Sequence, residues 1–510
     1  ILLGIASALA LAACAPVGPN HAPPATPSSA AGSFIGSGSP AVTTQAPPGD
    51  WWRLYEDPVL DRLVADALAE NKDLAIATAN LARARAFLRE SQAGRLPQSQ
   101  IDAGAAYGRL PEGQRAPGAD REDGSIDAGL SIAYEVDLFG RVSRSIEAAR
   151  GDAQAAAAGL DAARVAVVAE TARAYADASS FAARIAVAER TVGLLDKSVN
   201  LTSRRLEAGF GTRLDVARVT SLRDQQRAIL PQLRAERDAA LFRLATLTGR
   251  APADLPPEVG QRATTLTLDR PIPVGDGRAL IARRPDVREA ERRLAADTAR
   301  IGVATADLYP RIVFGGSAGS TGSSFGDLFG GGPLRWLLGP LLSWTFPNQE
   351  GPRARIAAAE ASAQASLARF DKAVLTALEE TETALSRYAH ELDRRAALTS
   401  ARDEARRAAE ISQAQLRAGR ADFLVVLDAE RTLAQAEFEL AQSNAQLSTA
   451  QVDLFRALGG GWQDQASAAT EPPLTAAARS PNVPTPRARC APRCASTSTT
   501  TATRPGLPRS

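Results

Sequence analysis

Ile126-Asp127-Ala128-Gly129-Leu130-Ser131-Ile132-Ala133-Tyr134-Glu135-Val136-Asp137 alternates apolar residues with small or polar ones through six consecutive pairs. A β-strand puts such a period of two on opposite faces. The length and alternation suit a tilted strand of a membrane barrel, with lipid on the apolar side and a lumen on the polar side. A few residues on, the period changes. From Gly140 to Ala208 there is no proline, and Val165, Ala169, Ala172 and Ala176, then Leu194, Leu195 and Val199, recur at three- and four-residue steps. Those are the steps of an amphipathic helix. Such a run, at ~1.5 Å per residue, is roughly 100 Å long. No globular core covers a helix of that length, so coiled-coil packing is expected.

The same pair of signals recurs on both sides of this stretch. A partner strand starts after Pro97 (Ile101, Ala103, Ala105, Tyr107), and the loop from Leu110 to Gly124 is rich in Gly, Pro and charge. Further on come Arg311 to Ser320, a Gly-rich loop from Gly322 to Gly332, and Leu334 to Phe346. Trp336 and Trp344 in the last of these fit an interfacial aromatic girdle. Pro352 to Ala418 repeats the long helical run with no further Pro or Gly. Shorter helices are expected at about 58–95, 212–248, 276–308 and 422–457. Two short helices, end to end, match one long one, which predicts a rod of helical hairpins with Ala-rich faces around a hollow centre. Four strands per chain cannot close a barrel, and lipid does not tolerate an open edge. Two chains give ~8 strands and a lumen filled by side chains, whereas three give twelve and an aqueous pore. A trimer is the expectation.

The chain also says the same thing twice. Asn71-Lys72-Asp73-Leu74 opens a helical run ending at Leu96-Pro97, and Arg284-Pro285-Asp286-Val287 opens one ending at Tyr309-Pro310. Asp73 to Asp286 and Pro97 to Pro310 are both 213 apart. Arg205-Leu206-Glu207-Ala208-Gly209 returns as Gln415-Leu416-Arg417-Ala418-Gly419, 210 residues later. Near-constant offsets mean a duplicated unit. The division that follows is 51–255 for the first copy, 256–275 for a linker and 276–461 for the second, with 462–510 a low-complexity tail expected to be disordered.

Composition limits the function. Of 510 residues 45% are hydrophobic and only 5% aromatic, a mix suited to long, closely packed helices. The net charge of +2 hides a tail with six Arg and no acid from Pro472 on, and no clustered basic face marks a nucleic-acid interface. The two histidines, His21 and His390, are read as lying in a flexible N-terminal stretch and on an exposed helix face. No P-loop, nucleophile elbow or metal-ligand cluster is present in the sequence. An enzyme is not expected, and neither is a cofactor or metal. Cys490-x3-Cys494 is a weak signal without further ligands.

Residues 1–13 run apolar and read as the hydrophobic region of a signal peptide, too short to span a bilayer as a helix. They end in Leu11-Ala12-Ala13-Cys14, which resembles the bacterial lipoprotein cleavage box. That resemblance implies that Cys14 is acylated and that 14–50 is a lipidated extension. Ala15 in the next position favours outer-membrane sorting by the same resemblance.

Five segments carry a wider likeness: Cys14-Ala15-Pro16-Val17-Gly18-Pro19, Trp51-Trp52-Arg53-Leu54-Tyr55-Glu56-Asp57-Pro58, Tyr134-Glu135-Val136-Asp137-Leu138-Phe139-Gly140-Arg141, Arg283-Arg284-Pro285-Asp286-Val287-Arg288-Glu289-Ala290-Glu291, and Arg300-Ile301-Gly302-Val303-Ala304 leading to Tyr309-Pro310. In this order the chain resembles TolC-like outer membrane factors, in the lipoprotein (NodT-type) branch that serves resistance-nodulation-division efflux pumps. The likeness covers residues 14 to about 461. It departs at Pro347-Asn348-Gln349-Glu350-Gly351-Pro352, where relatives often carry Gly-Gly-Arg, so the geometry of that corner is open.

The resemblance implies an α+β membrane protein. Three chains of four strands would form a twelve-stranded outer-membrane barrel, continuous with a long periplasmic helical barrel and ringed by an equatorial belt. It implies an outer-membrane duct working with a periplasmic adaptor and an inner-membrane pump. Helical hairpins would turn at the periplasmic end, where the Gly motifs sit. Gly209, Gly211, Thr212 and Leu214 form one tip and Gly419, Asp422 and Phe423 the other, both facing the adaptor. Past the second tip, Leu424, Asp428 and Arg431 share a helical face. Apolar and acidic rings at the matching positions of relatives narrow the resting pore, so these three are the expected gate. The alternatives are a duct of a type I protein-secretion system and, outside the family, a structural periplasmic coiled-coil scaffold.

Overall fold

The computed structural model describes residues 16–25, 30–109, 111, 121–322, 325–326 and 334–462. Cys14, the apolar start, the tail with Cys490 and Cys494, and most of both strand-connecting loops lie outside the described residues. The described residues belong to one unit.

After a two-residue strand β1 (Val42–Thr43) come helices α1 (Pro58–Glu70) and α2 (Lys72–Ala93), then strands β2 (Gln98–Arg109) and β3 (Glu122–Val136). Helix α3 (Arg141–Glu207) and helix α4 (Arg213–Leu247) follow. Strand β4 (Ile272–Pro273), α5 (Gly277–Arg283), α6 (Pro285–Ala306), β5 (Arg311–Gly322), β6 (Leu334–Ser343), α7 (Glu350–Arg417) and α8 (Phe423–Ala457) complete the order. The long helices have 67 and 68 residues.

Two expected helices are each broken in two. The run 58–95 is interrupted at Asn71, whose extended backbone ends α1 while its side chain caps α2 by accepting from the amides of Asp73 and Leu74. The run 276–308 breaks at Arg284, because the residue before a proline is pushed out of the helical region. Both breaks are joints. Asn71 Nδ2 donates to Leu247 O, the end of α4, at 3.0 Å. Arg284 Nη1 donates to Ala457 O, the end of α8, at 3.0 Å. So α2 stands on α4 and α6 on α8, and each joint satisfies a carbonyl that a helix end leaves without a partner.

The helices pack in a layer. At the strand end the order is α2, α3, α6, α7; at the far end it is α4, α3, α8, α7. Between α3 and α6 the backbones come very close: a Cβ on Gly151 would lie 2.9 Å from the Ala296 Cβ. The four long strands form one antiparallel sheet in the order β2-β3-β5-β6. Its register lines up Ile101, Leu130, Ala318 and Trp336 on one face. Exposures of 79% for Ile101, 74% for Trp336 and 76% for Leu338 make that face one that water disfavours. The other face carries Gln100, Ser131 and Ser317 in one row, and Asp127, Thr321 and Arg335 joined by hydrogen bonds. Among the described residues no helix is long and apolar enough to cross a membrane.

The largest core lies at mid-height, where a belt of short segments wraps the joints. Trp51 is fully buried and stacks on Phe455 at 4.8 Å. Asp57 caps α1 and accepts from Tyr175 Oη at 3.0 Å and Arg262 Nη1 at 2.8 Å. His21 is no free end: its Nε2 lies 2.7 Å from Glu291 Oε1 and is mostly buried. His390 is exposed on α7, with Nδ1 bonded to Ser386 O.

Candidate functional site

Both helical hairpins turn by one device. At the first tip Gly209 has φ +80°, its amide donates to Leu206 O at 3.0 Å, and the Phe210 amide reaches Arg205 O at 2.7 Å. At the second, Gly419 has φ +69°, its amide donates to Leu416 O at 3.1 Å, and the Arg420 amide reaches Gln415 O at 2.8 Å. This is the Schellman arrangement, which needs a left-handed residue that glycine supplies without strain.

The two tips differ in how the next helix starts. Thr212 and Asp215 form a complete capping box on α4, with Thr212 Oγ1 donating to Asp215 Oδ2 at 2.7 Å and the Thr212 amide donating at 3.0 Å. These bonds hold the Asp215 carboxyl below its ordinary range. Asp422 occupies the matching place on α8 with no side-chain cap bond. Phe210 and Leu214 are exposed, and Gly211 lies tight against the Leu206 backbone. Phe423 is buried, so it braces the second tip from within.

Leu424, Asp428 and Arg431 come together, as their spacing predicts. They line a groove of about 540 Å³ with Arg218, Ser221 and Gln225 of α4. Asp428 and Arg431 are both exposed, and no ion pair joins them among the described residues. The face they occupy continues up α8 through Gln435, Gln442 and Gln446, all solvent-accessible, at the three- and four-residue multiples that keep residues on one side. The opposite side of α8 is held by the belt, where Gln451 accepts from the Leu268 amide and donates to its carbonyl, both at 2.9 Å.

Glu430 gave no signal in the sequence. It accepts from Ser198 Oγ of α3 at 3.0 Å and Gln413 Nε2 of α7 at 3.1 Å, and so ties α8 to both long helices. Burial pushes its carboxyl up.

At the strand–helix corner the Tyr134–Arg141 segment shows why its residues belong together. Asp137 accepts from the amides of Val142 and Ser143, both at 2.8 Å, and so caps α3. Glu135 bridges Arg141 and Arg311, each at 2.5 Å. Phe139 stacks on Tyr309 at 4.5 Å. The N-terminal strap docks on this corner: Val17 N donates to Phe139 O at 3.1 Å, and Arg144 reaches the carbonyls of Val17 and Gly18. At the second corner, open in the sequence, Trp344 Nε1 and Gln349 Nε2 both donate to Leu308 O.

The profile of the outer membrane efflux protein family matches residues 63–250 and 278–460. The chain belongs to that family. It is 32% identical over 460 residues to the outer membrane protein OprJ of Pseudomonas aeruginosa, covering 90% of this chain and 95% of that one. It is 30% identical over 426 residues to the toluene efflux pump outer membrane protein TtgC of Pseudomonas putida, covering 82% and 87%. Its structure is similar to that of the outer-membrane channel OprN, with TM-score 0.81 and 36% identity, covering 88% of this chain and 99% of that one. As an outer membrane efflux protein, the chain resides in the outer membrane and serves as an efflux channel component. Its sheet is the segment suited to lipid.

Proposed function

We propose that three copies of this outer membrane efflux protein close head to tail into a passive duct: a twelve-stranded barrel continuous with a helical tube. The observation that carries this is that both layers end in open edges from opposite halves of the chain. The sheet ends in β2 and β6. The helical layer ends in α2 and α4 on one side and α7 on the other. An open strand edge is not stable in lipid, and head-to-tail contacts that close make a ring. The halves 51–255 and 276–461 then act as two copies of one unit, six to the ring. In this reading the belt lies outside the tube.

In this reading the tips face a periplasmic adaptor protein, and an inner-membrane pump of the resistance-nodulation-division class supplies the energy. The groove with Leu424, Asp428 and Arg431 turns toward the axis as the gate, where three Asp428 carboxylates favour cations. Docking of residues 16–20 on the corner beneath the sheet supports Cys14 as a lipid anchor at the membrane surface. The cargo is a drug, solvent or similar small molecule. Native mass spectrometry of the detergent-extracted protein tests the ring. A mass of three chains supports it, and a monomer or dimer overturns it. Drug susceptibility and the secretome of a deletion strain separate efflux from protein secretion.

A further inference from the structure

We propose that the duct wall carries an anion-binding station at mid-height, one per subunit, that takes the carboxylate or phosphate groups of passing cargo. It is a groove of about 610 Å³ formed by α3, α7 and α8 and lined by Arg173, Arg184, Arg387 and Arg394. The proposal rests on the trimeric duct described above.

Three features argue for it. The first is placement. The α8 residues in the groove, Gln442, Gln446, Thr449 and Asp453, continue the face that begins at Asp428, while the belt grips the opposite side through Gln451. On α3, Arg173 and Arg184 are eleven residues apart and so fall on one side at ~100° per residue, whereas Tyr175, tied to belt residue Asp57, falls on the other. On α7, Arg387 and Arg394 are seven apart, while Glu382 and Leu385, which contact Ile35 and Gly36, lie across the helix. A belt outside the tube therefore puts this groove inside it.

The second is charge. Only Asp453, 3.0 Å from Arg173, and Glu391, 3.4 Å from Arg394, stand against the four guanidiniums among the lining residues. Glu391 also accepts from Ser443. Beyond the lining, Asp177 lies close to Arg173 and Asp453, and Glu236 is near enough to act on Arg184. Arg184 and Arg387 make no ion pair among the described residues.

The third is order. The Arg184 guanidinium lies over the rings of both Phe181 and Phe438, at 5.5 and 5.2 Å, and its buried Nε has no hydrogen-bond partner among the described residues. Cation–π contact with two rings restrains the guanidinium. A restrained planar fork is what two-point recognition of carboxylate or phosphate requires. Three such grooves around the axis, above an acidic ring of Asp428, give anionic cargo a resting place once it has passed the gate.

The test is single-channel recording of the purified protein in planar bilayers, with citrate or inorganic tripolyphosphate added to one side at a time. The wild-type protein is expected to be blocked by one or both, more weakly at high salt. The double variant Arg387→Gln/Arg394→Gln, with both changes at exposed positions, is expected to need ~10-fold or more anion for half block, because charge-assisted hydrogen bonds are lost. Block by citrate alone identifies a carboxylate site, and block by tripolyphosphate alone a phosphate site. Arg407→Gln, on the far side of α7, should leave the block unchanged. A conducting channel that neither anion blocks, or that both variants leave equally blocked, overturns the station and leaves the duct intact. Protein that forms no channel overturns both.

Discussion

Arg284 ties three elements together with one guanidinium. It sits at the break before α6, pairs with Asp286 and Glu380 at 2.7 Å each, and donates to the Ala457 carbonyl at the end of α8. Its side chain is 9% exposed, but both carboxylates are half exposed and can regain water. Arg284→Ala is therefore expected to cost about 2 kcal/mol rather than the full cost of an orphaned buried charge. Arg284→Lys should recover only part, because an ammonium lacks the fork. Thermal unfolding of the two variants checks this order. At the first tip, Thr212→Ala removes the cap and should cost ~1 kcal/mol of local helix stability. Hydrogen exchange of the 213–216 amides would then speed up about fivefold. Thr212 holds the Asp215 carboxyl down, so the box contributes stability above the carboxyl's unfolded value of ~3.9. That contribution is lost as pH falls through the lower folded value. The second tip has no side-chain cap bond and should show no such step.

At the scale of elements, α8 is the piece whose position would decide whether the proposed bore is open. Glu430 is its only carboxylate bonded to both long helices at once among the described residues. Burial raises this carboxyl, so the folded state holds its proton more tightly than the unfolded one. The stabilisation is complete below the unfolded glutamate value of ~4.3 and declines as pH rises through the folded value. Protection factors across 423–440, with the intrinsic pH dependence of amide exchange divided out, should accordingly fall as pH rises in the wild type and stay flat in Glu430→Gln. Equal pH dependence in both would remove Glu430 from this role.

The strands and long helices were legible because their periods persist over many residues, so a local exception does not hide them. The joints were not. A capping asparagine reads like any polar residue on a helix face, and Asn71 gives itself away only through Leu247, 176 residues off. The tips were legible because a left-handed turn calls for glycine. Glu430 and the stacked Arg184 were not, since what sets them apart comes from helices distant in sequence.

At the scale of the whole molecule, the sheet and the helical layer share one incompleteness. Each presents an edge from the first half of the chain and a different edge from the second, and in the proposed ring the edge of one copy would satisfy the opposite edge of the next. In the proposed trimer, charge along the bore would be repeated three times, so one residue near the axis would act as a ring. Conductance of the purified protein in a planar bilayer tests this most directly, with wild type and Asp428→Ala side by side. The account predicts discrete channel openings, cation preference in the wild type, and altered conductance with weaker cation preference in the variant. The absence of discrete openings would contradict the duct. Identical conductance and selectivity in the two proteins would contradict the gate.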